Sequence, residues 1–420
     1  MRFVFTPPAR DGAGLLDLPW TTPLADWTDP RLVVPRQPGV HRHVVRFVSE
    51  GGAVWVVKEL PERYARREYR LLRRLADLGV PAVTVLGVVV DRGVGIDAAL
   101  VTRYLEYSTT YRALFSGPRV MHPSGLLIDA LVELLVRLHL SGFYWGDCSL
   151  SNTLFRLDAG ALAAHLVDAE TSEMHPTLTH GQRTADLELA CERVAGEMLD
   201  LEASGTLRQG LDPLAIGDDL AARYRALWDE LTAEWPITPG DTRQQVAERL
   251  ARLNDLGFDV DEVELVAGDD AGMRLRVATR VSEPGHHRAL LHRRTGLVAQ
   301  ENQARRLLND LASFRAWVER TEGRPVPESV AANRWLQEVY DQVVGNIPAD
   351  LREKLDPVEV FHEVLEHRWF LSEQAATDVG TAEAAASYFA DVLPAVPDEL
   401  TSGSASAAVP VGDDDDPAEA

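Results

Sequence analysis

The sequence predicts an α+β fold followed by a mainly helical C-terminal domain, and three observations support this fold class. Runs of β-branched residues separated by Gly and Pro fill residues 31–60, a pattern typical of strands. Apolar residues then recur at helical spacing in residues 62–78. Long helical patterns dominate beyond about residue 235. At 420 residues the chain is also long for one hydrophobic core, so more than one domain is expected.

The first predicted domain spans residues 31–106 and is built mainly from strands. Before it, residues 1–30 are rich in Pro, Gly and Trp and are expected to form an irregular lead-in. Within the domain we expect a three-stranded antiparallel meander in 31–60, a helix at 62–78, and strands at 83–90 and 98–104.

Residues 107–234 are predicted to form a second, mostly helical unit. An apolar stripe from Leu127 to Leu138 marks its first long helix, and a hairpin is expected across residues 153–170. Two further helices are expected at 184–201 and 217–234.

The predicted C-terminal domain covers residues 235–400 and is mainly helical. We expect an opening helix at 242–258, a hairpin that turns at GDDAG, and long helices at 298–320 and 328–345. The basic stretch HHRALLHRR, 286–294, is interpreted as a solvated strand face. Residues 401–420 are small, polar and acidic, and are predicted to be a disordered tail.

Composition and charge exclude several classes of protein. The net charge of −23 argues against sequence-independent binding of nucleic acid, which requires a positive surface. No apolar run is long enough to span a bilayer, and the N-terminus lacks the apolar core of a signal peptide. The two cysteines, Cys148 and Cys191, have no metal-type spacing, which fits reduced thiols. We therefore expect a cytoplasmic protein.

Lys58 stands out because the chain has only two lysines and uses arginine for its other basic side chains. It ends the strand-like run VWVVK, where alternation places it on the same face as Val56. Glu68 is the only acid on the apolar stripe of the next helix. A lysine and a carboxylate that both face inward predict an ion pair. The alternative is a solvated strand-end lysine and a solvated glutamate.

A second motif, GFYWGDCSLSNTLF, places Asp147 and Asn152 five residues apart between an apolar helix and a strand. Asp168 follows at the end of the next strand, in LVDAE. A carboxylate that deprotonates a hydroxyl, together with an amide and a carboxylate that hold magnesium against phosphates, is what phosphoryl transfer requires. Asp and Asn also favour ordinary turns, so the motif alone is weak. The ordered set with Lys58 and Glu68 predicts a kinase-type site.

These motifs resemble the protein-kinase-like fold over residues 30–230, which implies two lobes. The resemblance is strongest to the lipopolysaccharide kinase (Kdo/heptose kinase) family and more distant to aminoglycoside phosphotransferases. VWVVKEL is similar to the strand of the phosphate-binding lysine, which implies that role for Lys58 and an adenine-lining role for Val56. REYRLLRRL is similar to the helix that supplies the lysine's partner, here Glu68. The C-terminal half resembles a family of uncharacterised domains.

The resemblance also implies catalytic and metal-binding roles in the second motif. WGDCSLSN is similar to the catalytic loop, which makes Asp147 the base and Asn152 a metal ligand. LVDAE stands where the magnesium-binding aspartate belongs, which implies that role for Asp168. ATP and Mg²⁺ are therefore the implied cofactors, with a nucleotide and a hydroxyl-bearing substrate or protein as partners.

Two departures from the family pattern affect these expectations, and one further aspartate, Asp186, matches the family pattern but has an alternative role. The phosphate-covering loop should be PRQPGVHRH, which offers one glycine, Gly39, and so few free N–H groups for phosphates. The aspartate motif continues as Ala-Glu, so Glu170 could also face the metal. Asp186 could brace the catalytic loop or be an ordinary helix N-cap.

Two main functional hypotheses follow from the sequence. The first is an ATP- and Mg²⁺-dependent phosphotransferase that acts on a hydroxyl of a small molecule, a sugar or a protein. The second is a pseudokinase that presents its C-terminal domain to a partner, which the glycine-poor loop favours. A third possibility is that the C-terminal half carries the function and the kinase-like half regulates it.

Overall fold

The computed structural model describes residues 1–5, 10–34, 43–116, 124–207, 211–232, 235–237, 262–267, 273–278, 286–375, 377 and 379–396. Within them a strand-rich N-terminal unit is followed by a mixed unit and then by a helical C-terminal region. Gly39, the predicted opening helix of the C-terminal domain, the GDDAG turn and the predicted tail lie outside these residues.

A six-stranded antiparallel sheet forms the N-terminal unit, with strand order β1-β5-β6-β4-β3-β2. Helix α1, Glu62–Asp77, follows β4 directly and packs its apolar stripe on one face of the sheet. Lys58 lies near the end of β4, which pairs with both β3 and β6 and is therefore central. The strands are β1 Arg2–Phe5, β2 Leu32–Val33, β3 Val45–Glu50, β4 Ala53–Leu60, β5 Val85–Val90 and β6 Ala98–Arg103.

The expectation of an irregular lead-in is wrong for much of residues 1–30. Residues 2–5 form β1 at one edge of the sheet, and two 3₁₀ helices follow at Arg10–Asp17 and Leu24–Asp26. Trp20 and Trp27 pack against the outer sheet face, where they bury Trp55 and Val57. Both faces of the central strand are therefore covered, one by α1 and the other by this lead-in.

A buried arginine fastens the lead-in to the sheet. The guanidinium of Arg92 donates to the carbonyl oxygens of Trp20 at 2.8 Å and Thr22 at 2.6 Å, and it also binds the Glu59 carboxylate. Glu59 in turn accepts a hydrogen bond from the Leu24 N–H. The outward-facing acid next to Lys58 is thus part of a structural anchor.

The second unit combines helices with short antiparallel strands. Helix α3 is largely buried because its residues are apolar on most sides, and it packs against the β9–β10 hairpin. Helices α4 and α5 complete the unit. Its elements are β7 Ser108–Thr109, α2 Tyr111–Ser116, α3 Ser124–Leu140, β8 Phe143–Tyr144, β9 Thr153–Asp158, β10 Ala161–Leu166, β11 Glu173–Met174, α4 His180–Ala203 and α5 Pro213–Thr232.

The C-terminal region begins with a three-stranded antiparallel sheet of order β12-β14-β13, and helices follow. The stretch HHRALLHRR forms a helix and not a strand, so that interpretation was wrong; Leu291 is buried in the main core. The elements are β12 Trp235–Ile237, β13 Glu262–Ala267, β14 Met273–Ala278, α6 His286–Thr295, α7 Glu301–Glu322, α8 Glu328–Trp335, α9 Asp341–Val344, α10 Pro357–Ala375 and α11 Thr381–Ser387.

The C-terminal helices share a hydrophobic core with the second unit. Phe155 and Leu157 of β9 belong to the same buried cluster as Trp335 and Phe361. Polar contacts reinforce this junction, because Glu359 of α10 accepts a hydrogen bond at 2.9 Å from the N–H of Ala159. Ala159 lies in the two-residue turn between β9 and β10. The C-terminal region is therefore packed on the hairpin.

We predict that Glu359 makes stability depend on pH. Burial raises the pKa of Glu359 from its ordinary value of 4.5 to about 7. A raised folded-state pKa means that the folded protein favours protonated Glu359. The stabilisation that Glu359 gives the folded state is therefore fully present below pH 4.5 and is lost as the pH rises through 7. Glu359→Gln cannot titrate, so this loss should disappear. The free energy of unfolding should then fall less steeply with rising pH, by at most about 3 kcal/mol over this range.

Urea denaturation of both proteins at a series of pH values measures this difference. Glu373→Gln, on the exposed surface of the same helix, is the matched control and should follow the wild type. Parallel curves for the wild type and Glu359→Gln across this range would contradict the prediction.

Candidate functional site

Lys58 lies at the centre of a buried ion cluster. Its side chain is only 15% exposed, and Nζ donates to Asp168 Oδ2 at 2.7 Å and to Glu68 Oε2 at 3.2 Å. Glu170 Oε2 lies 3.6 Å from the same nitrogen. The predicted pair of Lys58 with Glu68 is confirmed. The cluster also joins the sheet to the segment after β10.

Helical periodicity explains why Glu68 points into the protein. It lies on the α1 stripe with Ala65, Tyr69 and Leu72, and all four are buried. Its second oxygen accepts a hydrogen bond from the Ala169 N–H at 3.4 Å. Helix α1 therefore touches both the lysine and the aspartate motif.

Three carboxyl groups surround the ammonium of Lys58. Burial, and then the nearby Asp168 charge, raise the pKa of Glu68 to about 8. Burial alone would lower the pKa of Lys58, but Glu68, Asp168 and Glu170 outweigh it and raise that pKa. The lysine is therefore charged at neutral pH, and acidic side chains outnumber it in the cluster.

Asn152 connects the predicted catalytic aspartate to the strand that leads to Asp168. Its amide Nδ2 donates to Asp147 Oδ2 at 3.1 Å and to the Asp147 carbonyl oxygen at 3.0 Å. The backbone carbonyl oxygen of Asn152 accepts a hydrogen bond at 3.0 Å from the N–H of Val167, the residue before Asp168. The indole of Trp145 also donates to the Asp168 carbonyl oxygen at 3.2 Å. The two motifs thus meet in one region.

Asp186 braces the loop that carries Asp147. It is fully buried, and its two oxygens accept from the Trp145 N–H at 2.7 Å and the Gly146 N–H at 2.8 Å. His139 Nε2 lies 3.1 Å from the same carboxylate. The N-cap of α4 is Thr179, with a capping box, so the N-cap alternative for Asp186 is wrong.

A neutral histidine supports this brace. Burial lowers the pKa of His139, so its ring is uncharged at neutral pH. With Nε2–H donating to Asp186, its Nδ1 accepts from the Tyr224 hydroxyl at 2.6 Å. Helices α3, α4 and α5 therefore all contribute to the position of the loop that carries Asp147.

Two further residues of α4, which were not predicted from the sequence, contact this loop. Glu197 accepts hydrogen bonds from the N–H groups of Leu150 at 2.7 Å and Ser151 at 2.9 Å. Arg193 Nη2 lies 3.0 Å from Asp147 Oδ1. Asp186, Arg193 and Glu197 are spaced at i, i+7 and i+11, so they share one helix face, and this spacing was a usable signal.

His43 and Glu170 close the site from the side of the sheet. His43 lies two residues before β3 begins, and its Nε2 is 2.9 Å from Glu170 Oε2. The Glu170 N–H donates to Asp168 Oδ1 at 2.8 Å, which fixes the turn after Asp168. The structure thus places Glu170 in a turn beside Lys58, and its expected role toward a metal stays a prediction. Val56 lies on β4, paired with Phe47 and Thr102.

Two further observations concern the thiol of Cys148 and the side chains that could bind a metal ion. Cys148 is fully buried, and burial raises the pKa of its thiol well above the ordinary value, so it is a poor nucleophile. Among the described residues, no group of three or more His, Cys, Asp or Glu side chains forms a metal site.

Comparisons with known proteins agree with both halves of this description. Residues 53–194 match the family described as Lipopolysaccharide kinase (Kdo/WaaP) family, and residues 226–393 match Domain of unknown function (DUF4032). The resemblance seen in the sequence is confirmed for both. The kinase-like α+β fold followed by a mainly helical C-terminal domain is therefore the fold class of this chain.

Two solved structures align with this chain at low sequence identity and low structural similarity. WaaP in complex with acyl carrier protein is 16% identical, with a TM-score of 0.37 over 61% of this chain and 99% of that chain. An aminoglycoside-3'-phosphotransferase of type VIII is also 16% identical, with a TM-score of 0.33 over 54% of this chain and 94% of that chain. No curated protein matches significantly. In the described part of the chain, no helix has the length and apolar character to cross a bilayer.

We predict that Asp186→Asn destabilises the protein by about 2 kcal/mol, because one of two buried backbone N–H groups loses its acceptor. Glu188→Gln, an exposed change on the same helix, should have little effect. Chemical denaturation measures both. A destabilisation of Asp186→Asn no larger than that of Glu188→Gln would show that the brace is dispensable.

Proposed function

We propose that this chain is an ATP- and Mg²⁺-dependent phosphotransferase that acts on a hydroxyl of a small molecule, a sugar or a protein. The observation that carries the proposal is the contact of Lys58 with both Glu68 and Asp168, beside a loop that joins Asn152 to Asp147. These contacts involve polar residues from four segments of the chain, since Asp147 and Asn152 share one loop, and phosphoryl transfer uses this combination of residue types.

The residues present fit a bound nucleotide and cation. Asp147 Oδ1 is buried and has no aligned hydrogen-bond donor, although Arg193 Nη2 lies 3.0 Å away as its ion-pair partner. Carboxylates also exceed cations around Lys58. Carboxylate and amide oxygens are suitable Mg²⁺ ligands, so Asp168 and Asn152 would hold the ion. When bound, Mg²⁺ supplies charge neutralisation for the nucleotide phosphates.

Each residue has a proposed task in this reaction. Lys58 binds phosphate oxygens as a compact point charge, and Glu68 holds its ammonium in place. Asp147 accepts the proton of the acceptor hydroxyl, and Asn152 orients its carboxylate through the 3.1 Å hydrogen bond. Val56 lines the adenine pocket, and the loop that contains Gly39 covers the phosphates.

The lysine gives the first test of nucleotide binding. Lys58→Ala should weaken Mg²⁺-dependent ATP binding about tenfold or more, because a charge-assisted contact to phosphate is lost. Lys354→Ala removes the other lysine and is the matched control. Titration calorimetry measures both affinities. Equal ATP affinity in Lys58→Ala and Lys354→Ala would remove the lysine from the site.

The aspartate separates chemistry from binding. Asp147→Asn should bind ATP like the wild type, while turnover should fall by about 10²–10⁴-fold because general-base catalysis is lost. Turnover is measured with a pool of hydroxyl-bearing metabolites and labelled ATP. Unchanged turnover in Asp147→Asn would assign the base to another residue.

A pseudokinase is the second candidate, and the contact of Arg193 with Asp147 favours it. Arg193 Nη2 lies 3.0 Å from Asp147 Oδ1, so it occupies part of the carboxylate that would accept a proton. In this case the wild type would bind nucleotide without turnover and would present its C-terminal domain to a partner. Phosphoryl transfer above the level of Asp147→Asn would exclude it.

A further inference from the structure

We infer that the C-terminal domain sets the conformation of the β9–β10 hairpin and thereby positions the two residues assigned to magnesium; this inference rests on the proposed function. Asn152 directly precedes β9, and Asp168 follows β10 by one intervening residue. Both therefore lie at the open end of the hairpin. Its closed end, at the Ala159–Gly160 turn, is about 17 Å away along the strands.

The closed end has a backbone conformation that its sequence does not favour. Ala159 and Gly160 have φ angles of 53° and 81°, so both turn residues are left-handed. A two-residue hairpin turn of this kind suits Asn-Gly or Gly-Gly, whereas a Cβ at the first position is disfavoured. Such conformations persist when surrounding structure enforces them.

Glu359 of the C-terminal domain enforces this turn. Its Oε2 accepts from the Ala159 N–H at 2.9 Å and from Gln303 Nε2 at 2.6 Å. Gln303 Nε2 also lies 3.2 Å from the Leu157 carbonyl oxygen, so it bridges the strand and the glutamate. Ala159 itself is 2% exposed. Ala159 is thus covered by α7 and α10, while Gly160 is exposed.

Asp158 provides a second attachment. Its carboxylate accepts from the backbone N–H groups of Gln303 at 2.7 Å and Asn302 at 3.1 Å, in the first turn of α7. These are amides that a helix cannot satisfy internally. A third attachment is the ion pair of Arg156 with Asp356 at 2.8 Å. Each attachment joins β9 or its turn to the C-terminal domain.

The hairpin transmits this constraint to the site through its ladder. Six residue pairs connect β9 and β10, from Asp158 and Ala161 to Thr153 and Leu166. Beyond the ladder, the Val167 N–H donates to the Asn152 carbonyl oxygen. Asn152 and the segment leading to Asp168 therefore move together with the hairpin, and Glu359 and Asp158 act as positioning residues.

Full-length Glu359→Ala tests this inference by two measurements on one protein. Hydrogen exchange of the amides in residues 153–166 should become faster. The dissociation constant for ATP with Mg²⁺ should rise about tenfold, the usual scale for residues that orient metal ligands, while ATP affinity without Mg²⁺ stays unchanged. Glu359→Gln, which keeps an acceptor oxygen, should resemble the wild type, and so should the exposed control Glu373→Ala.

A rescue variant distinguishes turn geometry from general loss of packing. In Glu359→Ala with Ala159→Gly, the turn no longer carries a disfavoured Cβ, so at least part of the Mg²⁺-dependent affinity and exchange protection should return. Faster exchange in Glu359→Ala with unchanged Mg²⁺-dependent affinity would overturn the inference alone. Absence of ATP binding by the wild type would overturn the proposed function and this inference together.

Discussion

The candidate site depends on the ion pairs that the ammonium of Lys58 makes with Glu68 and Asp168. This ammonium ties three parts of the chain together: the central strand that carries it, helix α1 through Glu68, and the segment after β10 through Asp168. Glu68 is buried and Lys58 is largely so, and neither could remain charged there alone, because an unpaired charge in an apolar environment is costly. Removal of either therefore disturbs the placement of the other.

Several features of the site could be predicted from the sequence because short-range periodicity determines them. Strand alternation placed Lys58 inward, and the helical repeat placed Glu68 on the buried stripe. Asp147 and Asn152 are only five residues apart in one loop, so their proximity followed directly. The roles of these residues in binding and catalysis stay predictions until they are measured.

Other features depend on contacts that short sequence windows do not contain. Glu197 looks like a solvated helix residue, yet its hydrogen-bond partner Ser151 is 46 residues away. The lead-in has 3₁₀ helices without a clear repeat, and its anchor, Arg92, is 72 residues from Trp20. The mixed Leu, His and Arg of HHRALLHRR fit more than one repeat, so burial of Leu291 decided for a helix.

The two-sided cover of strand β4 has a practical consequence for anyone who divides this protein into fragments. Trp55 and Val57 face the lead-in, and Val48, Ala99 and Val101 extend the same apolar surface across neighbouring strands. A fragment that starts at the family match, residue 53, would lack β1, β2, β3 and both tryptophans of the lead-in. Such a fragment would expose both an unpaired strand edge and an apolar sheet face. Together these two features promote aggregation.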